Sequence, residues 1–378
     1  MYVIALARGL AERGHTCFVG APPGSATFEA AVAAPGIREI PFDLGPRLGH
    51  RSALDLALHW RSYRRLMRGF LENVVSAHDI DIMHAQFKKE QLLATVAAAD
   101  MGLPVIWTEH GPLPGLFVRA PLALRRYTRN ADRVSRILCV SDHVRTSLAA
   151  HGVSGPNVQL CYNGVAIPRA TGQVERASAR AGLGLEPHHF AVGCTARLVP
   201  SKGQRFLLEA AAAARHRIPG LRVLLVGDGP ERASLELFAH QLDLEGIAAF
   251  FGTRDDARAL LPAFDVFVAP SLGGGLPLAV LEAMAAERPV VGTRVGGIPE
   301  ALADGAAGVL VDAGRTRPLE AALDRLFEQP RLRGELGATA RKRVVDTFSL
   351  DAMLDATERA FVEAGGAPAA PAEAAIAI

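Results

Sequence analysis

The chain has 378 residues, which is long for one domain and indicates two domains of roughly 150–200 residues each. Hydrophobic residues make up 49% and charged residues 21%, an ordinary balance for a globular protein with a large core. The formal net charge of +2 gives no reason to expect a nucleic-acid partner. No run reaches the roughly 18 apolar residues of a membrane-spanning helix. The four cysteines form no CxxC pair, so we expect buried free thiols and a cytoplasmic protein.

Short apolar runs bounded by turn residues alternate with longer segments of helical period. In the amino half these runs are Cys17–Ala21, Asp81–Phe87, Pro104–Glu109, Arg136–Ser141 and Val158–Tyr162. In the carboxyl half they are Phe190–Ala196, Arg222–Gly227, Ala248–Gly252, Val266–Pro270, Val290–Thr293 and Gly308–Asp312. Strands separated by helices predict parallel sheets covered on both faces. The sequence therefore predicts an α/β protein with two Rossmann-like, doubly wound parallel-sheet domains.

The chain opens on a helix rather than on a strand. Apolar residues come first at helical spacing, namely Val3, Leu6, Ala7, Leu10 and Ala11. Gly14 then ends this helix. The first strand of a doubly wound sheet is usually central, so we expect the amino domain to lack a central strand. We also expect Met1 to be an internal methionine of a longer product.

The segment Asn163–His189 is rich in Gly, Pro and Arg and shows no strand, so it predicts the interdomain linker. The tail after Gly365 is rich in Ala and Pro, which predicts disorder.

Two cations follow the first strand of the carboxyl half. Arg197 comes directly after this strand, and Lys202 follows five residues later in ARLVPSKGQ. Ligands of open α/β sheets bind at the carboxyl ends of the strands, so these cations suit a diphosphate. A solvated loop beside a helix start is the alternative. Gly227 and Gly229 in VLLVGDGPER form a further strand-to-helix turn, which is a weak signal by itself.

A glycine-rich turn is the most specific feature. In APSLGGGLPLAVLEAMAAERPVV, Gly273, Gly274 and Gly275 connect a strand to a helix beginning near Pro277. Exposed N–H groups at a helix start favour phosphate, and Glu282 would lie near a ribose. A flexible turn followed by an exposed glutamate is the alternative. In RVGGIPEAL, Gly296, Gly297 and Glu300 fit a capping turn.

Taken in order, these stretches resemble the family 4 glycosyltransferases, from ALARGLAERGH through FSLDAMLDATERAF. The resemblance implies the GT-B fold, in which two Rossmann-like domains face a central cleft, and transfer of a sugar with retention of configuration. It implies an acceptor-side domain over residues 1–168 and a donor domain over 169–348. A carboxyl-terminal helix over 349–364 would pack back toward the first domain, before a disordered tail over 365–378.

The resemblance also assigns roles to residues. Arg197 and Lys202 would hold the donor diphosphate, Glu282 the nucleotide ribose, and His110, at a strand end, would approach the reacting sugar and acceptor. His84 is a weaker candidate at a similar position. Other donor-binding candidates are Gly227, Gly229, Arg254, Gly273, Gly274, Gly275, Leu276 and Pro277, with the base recognised around Gly252–Arg254.

Two departures from the family pattern stand out. The family has a second glutamate separated from Glu282 by seven intervening residues; this position is Gly274 here, which predicts altered sugar recognition and reduced activity. The missing first strand also removes the glycine-rich turn that follows it in the family.

Two short motifs resemble known catalytic or metal-binding motifs but have simpler structural explanations. Asp79 and Asp81 form a DxD but would begin a strand, and Ser141 in Ser141–Asp142–His143 reads as a helix N-cap. No cluster has metal-ligand spacing, so we expect no metal. The arginines Arg61, Arg64, Arg65 and Arg68 indicate either a solvated basic face or peripheral contact with anionic lipid at the inner face of a membrane.

The sequence therefore predicts a glycosyltransferase that uses a nucleoside-diphosphate sugar. The acceptor would be lipid-linked, a glycan or a small molecule, in polysaccharide, glycolipid or glycoconjugate biosynthesis of the cell envelope. A nucleotide-sugar epimerase and a degenerate nucleotide-sugar-binding protein remain as alternatives.

Overall fold

The computed structural model describes residues 2–45, 56, 58–169, 172–365 and 373–377. The chain divides into two compact units. Unit 1 holds residues 1–163 and 351–378, and unit 2 holds residues 164–350. The first division thus falls five residues before the predicted boundary at 168/169. Among the described residues, no helix is both long and apolar enough to cross a membrane.

Unit 1 is a parallel sheet with helices. Its strands are β1 Thr16–Ala21, β2 Ile37–Pro41, β3 Met83–Ala85, β4 Val105–Glu109, β5 Arg136–Cys139, β6 Val158–Leu160 and β13 Glu373–Ala377. Its helices are α1 Tyr2–Glu12, α2 Ala26–Val32, α3 Trp60–His78, α4 Lys88–Ala99, α5 Gly115–Arg119, α6 Pro121–Ala131, α7 Asp142–Ala149 and α16 Leu350–Glu363. The strand order is β2-β1-β13-β3-β4-β5-β6, and every described pairing is parallel.

Unit 2 repeats this architecture. Its strands are β7 Phe190–Thr195, β8 Leu221–Val226, β9 Ala248–Phe250, β10 Val266–Ala269, β11 Val290–Thr293 and β12 Val309–Val311. Its helices are α8 Gln173–Gly182, α9 Gln204–Ala214, α10 Arg232–Gln241, α11 Ala257–Leu260, α12 Leu278–Ala285, α13 Ile298–Ala301, α14 Thr316–Glu328 and α15 Pro330–Thr347. The sheet order is β12-β11-β10-β7-β8-β9, also parallel throughout. Strands buried on both faces give the continuous apolar runs seen in the sequence.

The carboxyl-terminal strand corrects two expectations. Residues 373–377, which the composition predicted to be disordered, form β13 between β1 and β3. Ile376 is paired with Phe18 on one side and Met83 on the other. Strand β13, which comes last in the sequence, therefore occupies the central position of the sheet, between β1 and β3. Without β13, the facing backbone groups of β1 and β3 would lack partners, and burying such groups unpaired is unfavourable.

Helix α16 belongs to unit 1, where it packs against α1. Gly9 makes this approach possible, because a β-carbon there would overlap the side chain of Leu354. Arg13, after α1, forms ion pairs with Asp355 at 2.7 Å and Glu358 at 3.0 Å.

The predicted linker contains a helix, α8, which is fastened to unit 2. Arg176 and Arg180 both bind the carboxylate of Asp265, at 2.6 and 3.3 Å. Asp265 also accepts a hydrogen bond from the backbone N–H of Ala191 at 2.8 Å. The segment is therefore an integral part of unit 2.

Candidate functional site

The two predicted cations of unit 2 follow the carboxyl end of β7. Arg197 is exposed just after the strand, and Lys202 ends a 3-10 turn that begins at Pro200. Neither side chain forms an ion pair with any described residue of the chain. Burial lowers the pKa of Lys202, and the positive charge of Arg197 lowers it further. A bound anion would relieve this repulsion, so the pair is suited to a diphosphate.

The turn that carries Lys202 is fixed against the loop after β10. Gly203 has a φ of +65°, and a β-carbon there would overlap the carbonyl oxygen of Pro270. The N–H of Leu272 donates to the carbonyl of Ser201 at 2.8 Å. These contacts bring the cationic turn beside the glycine-rich loop.

Lys202 also lines a small cavity together with the start of helix α12. The cavity has a volume of about 140 Å³, and the residues from Pro277 to Val280 form part of its wall. Pro277 occupies the N-cap position of α12. Unpaired N–H groups at a helix start favour negative charge, so the cavity combines two sources of positive potential.

The glycine-rich loop rests on a second glycine turn. A β-carbon on Gly296 would overlap the carbonyl oxygen of Gly274, and the N–H of Gly297 donates to Gly275 at 2.9 Å. Gly274 itself has a φ of +142° with open space around it. The sequence suggested that Gly296 and Gly297 form a capping turn. In the structure their backbone packs against the loop Gly273–Gly275 and holds it in place. Leu276 is buried, so only its backbone could contact a donor.

Gly227 and Gly229 hold the loop that carries Arg197. A β-carbon on either would overlap a carbonyl oxygen, that of Ala196 or that of Leu198. Their N–H groups already donate, to Gly252 at 2.7 Å and to the Asp228 carboxylate at 2.7 Å. The structure therefore gives both glycines a packing role, and a donor contact stays a prediction.

Glu282 is positioned by an arginine that the sequence did not suggest. Arg258 donates from Nε to its carboxylate at 2.7 Å, and the side chain of Glu282 is mostly buried. Arg254, expected near the base, binds Asp256 in a bidentate pair at 2.6 and 2.7 Å.

In unit 1, a hydrogen-bonded chain connects the two histidines singled out from the sequence. His110 Nε2 lies 2.8 Å from Gln86 Oε1. Gln86 Nε2 lies 3.1 Å from His84 Nε2, which is also 2.6 Å from the hydroxyl of Thr108. Because amide nitrogen donates and amide oxygen accepts, His110 carries a proton on Nε2.

The buried position of His84 changes its role. Its side chain is enclosed, and burial together with the nearby His110 lowers its pKa to about 3. A neutral, enclosed imidazole cannot touch substrate, so His84 orients Gln86 and through it His110.

A buried ion pair supports the strand end that carries His110. Lys88 binds the carboxylate of Glu109, which also accepts a hydrogen bond from the hydroxyl of Tyr127 at 2.7 Å. Burial lowers the pKa of Lys88, and Glu109 counteracts this. None of these three residues was predicted, because an isolated strand-end glutamate carries no sequence signal.

His110 lines a cavity of about 420 Å³ at the carboxyl edge of the unit 1 sheet. Polar side chains in its wall are Ser25, Thr27, Asp43, Glu90 and His110, and aromatic ones are Tyr2, Phe42 and Phe87. The ring of Tyr2 meets that of His110 edge-on at 4.7 Å. Hydroxyls, carboxylates and aromatic rings together suit a ligand rich in hydroxyl groups.

Ser141 and Asp79, which belong to the motifs that resembled catalytic or metal sites, have structural roles at helix ends. Ser141 accepts a hydrogen bond from the N–H of Val144 at 3.2 Å, which confirms the predicted N-cap. Asp79 caps α3 in the left-handed conformation and does not begin a strand, because β3 starts only at Met83.

One group of potential metal ligands occurs among the described residues. Glu186, His188 and His189 bring ligand atoms within 4.8 Å of one another. The N–H of Glu186 donates to His189 Nδ1 at 2.9 Å, so that nitrogen is already used. The group precedes β7, at the sheet edge opposite Arg197.

Comparisons with known proteins agree with this geometry. The model for "Glycosyltransferase Family 4" matches residues 1–169, and that for "Glycosyl transferases group 1" matches residues 189–329. A GDP-mannose-dependent alpha-(1-6)-phosphatidylinositol monomannoside mannosyltransferase of Mycolicibacterium smegmatis is 31% identical over 297 residues, covering 74% of this chain and 75% of that protein. A D-inositol 3-phosphate glycosyltransferase of Actinosynnema mirum is 28% identical over 375 residues, or 90% of this chain and 86% of that protein.

Among solved structures, Anabaena HepE in complex with UDP-glucose superposes with a TM-score of 0.81. The superposition covers 96% of this chain and 94% of that one at 22% identity, which shows the shared fold. The two parallel-sheet units have the architecture of the GT-B class. The chain belongs to glycosyltransferase family 4. The relatives do not bear out the expectation of reduced activity drawn from Gly274.

Proposed function

We propose that this glycosyltransferase moves a hexose-type sugar from a nucleoside-diphosphate donor to an acceptor hydroxyl, with retention of anomeric configuration. The observation that carries the proposal is the pair Arg197 and Lys202, which lacks acidic partners among the described residues. Lys202 also shares a cavity with the start of α12. Unit 2 would bind the donor and unit 1 the acceptor.

Stabilisation of the leaving group would be the main catalytic contribution. As the bond between sugar and diphosphate breaks, negative charge accumulates on the departing phosphate oxygens. Cations and helix N–H groups already aimed at that position need no reorganisation during the reaction. We therefore propose that transfer is independent of metal, because Arg197 and Lys202 supply the positive charge that a cation would otherwise provide.

Residues around these cations would orient the rest of the donor. Glu282 would accept hydrogen bonds from the ribose hydroxyls, with Arg258 holding its carboxylate in place. The backbone of the loop Gly273–Leu276 would face the sugar. Loop contacts at Gly252–Arg254 would meet the base.

The cavity of unit 1 would hold the acceptor. His110, kept in one orientation by Gln86, would face the acceptor hydroxyl and the reacting sugar. Hydroxyls and carboxylates in the wall of this cavity, those of Ser25, Thr27, Asp43 and Glu90, could bond to hydroxyl groups, so the part of the acceptor bound there would be hydroxylated. The mannosyltransferase relative is named for a phosphatidylinositol monomannoside. This name supports a glycolipid acceptor, and we propose a role in cell-envelope biosynthesis.

Donor binding is tested by thermal unfolding with UDP, GDP and their sugars, since a ligand bound to the folded state raises the melting temperature. A Lys202→Ala variant should lose most of this shift and about 100-fold in transfer rate. Arg205→Ala, on an exposed side chain of α9, is the matched control and should retain both. Equal shifts in Lys202→Ala and the unaltered protein would contradict the proposal.

Product analysis separates the alternatives. Incubation with donor alone should leave the sugar unchanged apart from slow hydrolysis, whereas interconversion of the donor would indicate an epimerase. Binding without transfer to any hydroxylated acceptor would indicate a binding protein. The anomeric configuration of the product, read from its proton NMR coupling constants, decides between retention and inversion.

A further inference from the structure

A cavity on the surface of unit 1 is lined by arginines and has no part in the proposed transfer. Its volume is about 410 Å³. Four arginines contribute to its wall, together with apolar residues and one amide: Arg125, Arg126, Arg129, Arg133, Val96, Leu122 and Asn130. The arginines lie on or just after α6, and Val96 belongs to α4.

The cavity is cationic without compensation. Within the described part of the chain, no carboxylate forms an ion pair with any of the four guanidinium groups. From residue 115 to residue 133 the sequence GLFVRAPLALRRYTRNADR holds five arginines and a single acid, Asp132. Arginines spaced four apart on a helix repel one another, so this arrangement is unfavourable unless an anion binds there.

The arginines singled out from the sequence on α3 differ in this respect. Arg64 and Arg68 bind Asp100 at 3.4 and 3.3 Å, and Arg68 also binds Glu72 at 2.7 Å. Two of the four positive charges on that helix are therefore satisfied within the protein. On α6, by contrast, none of the four guanidinium groups that line the cavity has an ion pair among the described residues.

Packing holds the cluster in place. The guanidinium of Arg126 stacks on the ring of Trp60, 3.1 Å from its centre, and burial lowers the pKa of Arg126. On the opposite face of α6, Tyr127 is fully buried and bonded to Glu109. Helix α6 is therefore anchored from behind, and Arg126 is held against Trp60.

Exposed apolar side chains occur on α6 and on the preceding helix, α5. Leu122, in the wall of the cavity, is 82% exposed, and Val118 on α5 is 42% exposed. Fixed cations beside exposed aliphatic side chains are typical of protein surfaces that rest on a membrane interface, where the headgroup and the acyl region are both within reach. A soluble phosphate would use the arginines and leave Leu122 and Val118 in water.

We propose that the α6 cavity binds the phosphate groups of anionic membrane lipids and docks unit 1 on the bilayer surface. Each guanidinium would donate hydrogen bonds to phosphate oxygens, and Leu122 would enter the interfacial layer. This site is separate from the donor cations of unit 2, and it stands whether or not the proposed transfer reaction is correct.

Vesicle flotation tests the proposal with the full chain. The probe is a vesicle of phosphatidylcholine containing about 30% phosphatidylglycerol, compared with pure phosphatidylcholine. We expect the unaltered protein to float only with the anionic vesicles. The triple variant Arg125→Gln, Arg129→Gln, Arg133→Gln should bind roughly 100-fold more weakly, since each arginine near the surface contributes about fivefold.

A charge-matched control separates this site from bulk charge. The triple variant Arg317→Gln, Arg325→Gln, Arg331→Gln removes three exposed arginines of unit 2 and should float like the unaltered protein. Equal binding by the α6 triple variant, equal loss in the control, or no flotation of the unaltered protein would each overturn the proposal. Saturable binding of soluble glycerophosphoglycerol without vesicle binding would overturn the assignment to a lipid surface. Thermal unfolding verifies that both variants remain folded.

Discussion

His110 donates a hydrogen bond from Nε2 to Oε1 of Gln86, 2.8 Å away. This contact connects the histidine in the unit 1 cavity to the buried imidazole of His84 and so to the interior of the sheet. It makes Gln86 a positioning residue whose effect on the reaction can be separated from its effect on folding.

We predict that Gln86→Leu lowers kcat for transfer by roughly tenfold to 100-fold, because His110 loses its fixed orientation. Donor binding by unit 2 should be unchanged. In Gln86→Glu, a carboxylate facing the imidazole favours its charged form and raises the pKa of His110. The pH–rate profile of Gln86→Glu should therefore move to higher pH. A purely structural role for Gln86 predicts altered melting temperatures and an unmoved profile.

The support of the glycine-rich loop gives a second prediction. Gly296→Ala introduces a β-carbon that would overlap the carbonyl of Gly274, so the loop must shift. We expect at least tenfold weaker binding of nucleotide sugar, with a smaller effect on the free nucleoside diphosphate. Isothermal titration with both ligands measures the difference.

Gly246→Ala is the control for Gly296→Ala. Its φ of +72° imposes a similar backbone strain to the +59° of Gly296, yet no atom lies near the added carbon. A similar loss of sugar-nucleotide affinity in both variants would show that strain alone is responsible.

The buried His84 predicts a pH dependence of stability. Its pKa is about 3 in the folded chain and returns to about 6.5 on unfolding. Between these values the unfolded chain binds a proton that the folded chain does not. His84 therefore has no effect on the free energy of unfolding above about pH 6.5. As the pH decreases from 6.5 toward 3, it lowers this free energy by at most about 1.4 kcal/mol per pH unit.

His84→Gln should reduce the slope of the free energy of unfolding against pH below pH 6.5, by an amount equivalent to at most one bound proton. Urea unfolding at several values between pH 7 and pH 4.5 measures the free energy of unfolding. His216→Gln removes an exposed histidine and should keep the slope of the unaltered protein. A slope that His84→Gln leaves intact would assign the acid sensitivity to other groups.

Strand β13 gives a prediction about folding. Ile376→Pro removes a backbone N–H from a strand that has neighbours on both sides, and a proline ring fits poorly there. We expect a fall in melting temperature on the order of 5 °C. Ile376→Val keeps the N–H and should stay within about 1 °C. An unaltered melting temperature in Ile376→Pro would mean that β13 contributes nothing to the sheet.

The alternation of strands and helices could be predicted because most strands are buried on both faces and read as continuous apolar runs. Two strands lacked that signal. β2 is largely exposed, contains Arg38 and Glu39, and ends at Pro41, so it resembles a loop. β13 is short and alanine-rich, so its sequence does not indicate a strand. It forms one because it pairs with β1 on one side and β3 on the other.

The candidate site was predictable where a residue type and its place in a motif coincide. Arg197, Lys202 and Glu282 follow strands or begin helices in a recognisable order. Arg258 and Gln86 were not predictable, because each acts through one side chain brought close by tertiary packing. The same limit applied to the arginines: charge density drew attention to α3, whereas only the structure shows which guanidinium groups have acidic partners.

The place of β13 has a topological consequence for unit 1. If strands are counted from β13, the order β2-β1-β13-β3-β4-β5-β6 becomes 3-2-1-4-5-6-7, which contains the strand order of a dinucleotide-binding sheet. In this count α1 has the place of the crossover helix between the first strand, β13, and the second, β1. A gene in which the β13 segment is moved ahead of Tyr2 through a short linker should encode the same sheet.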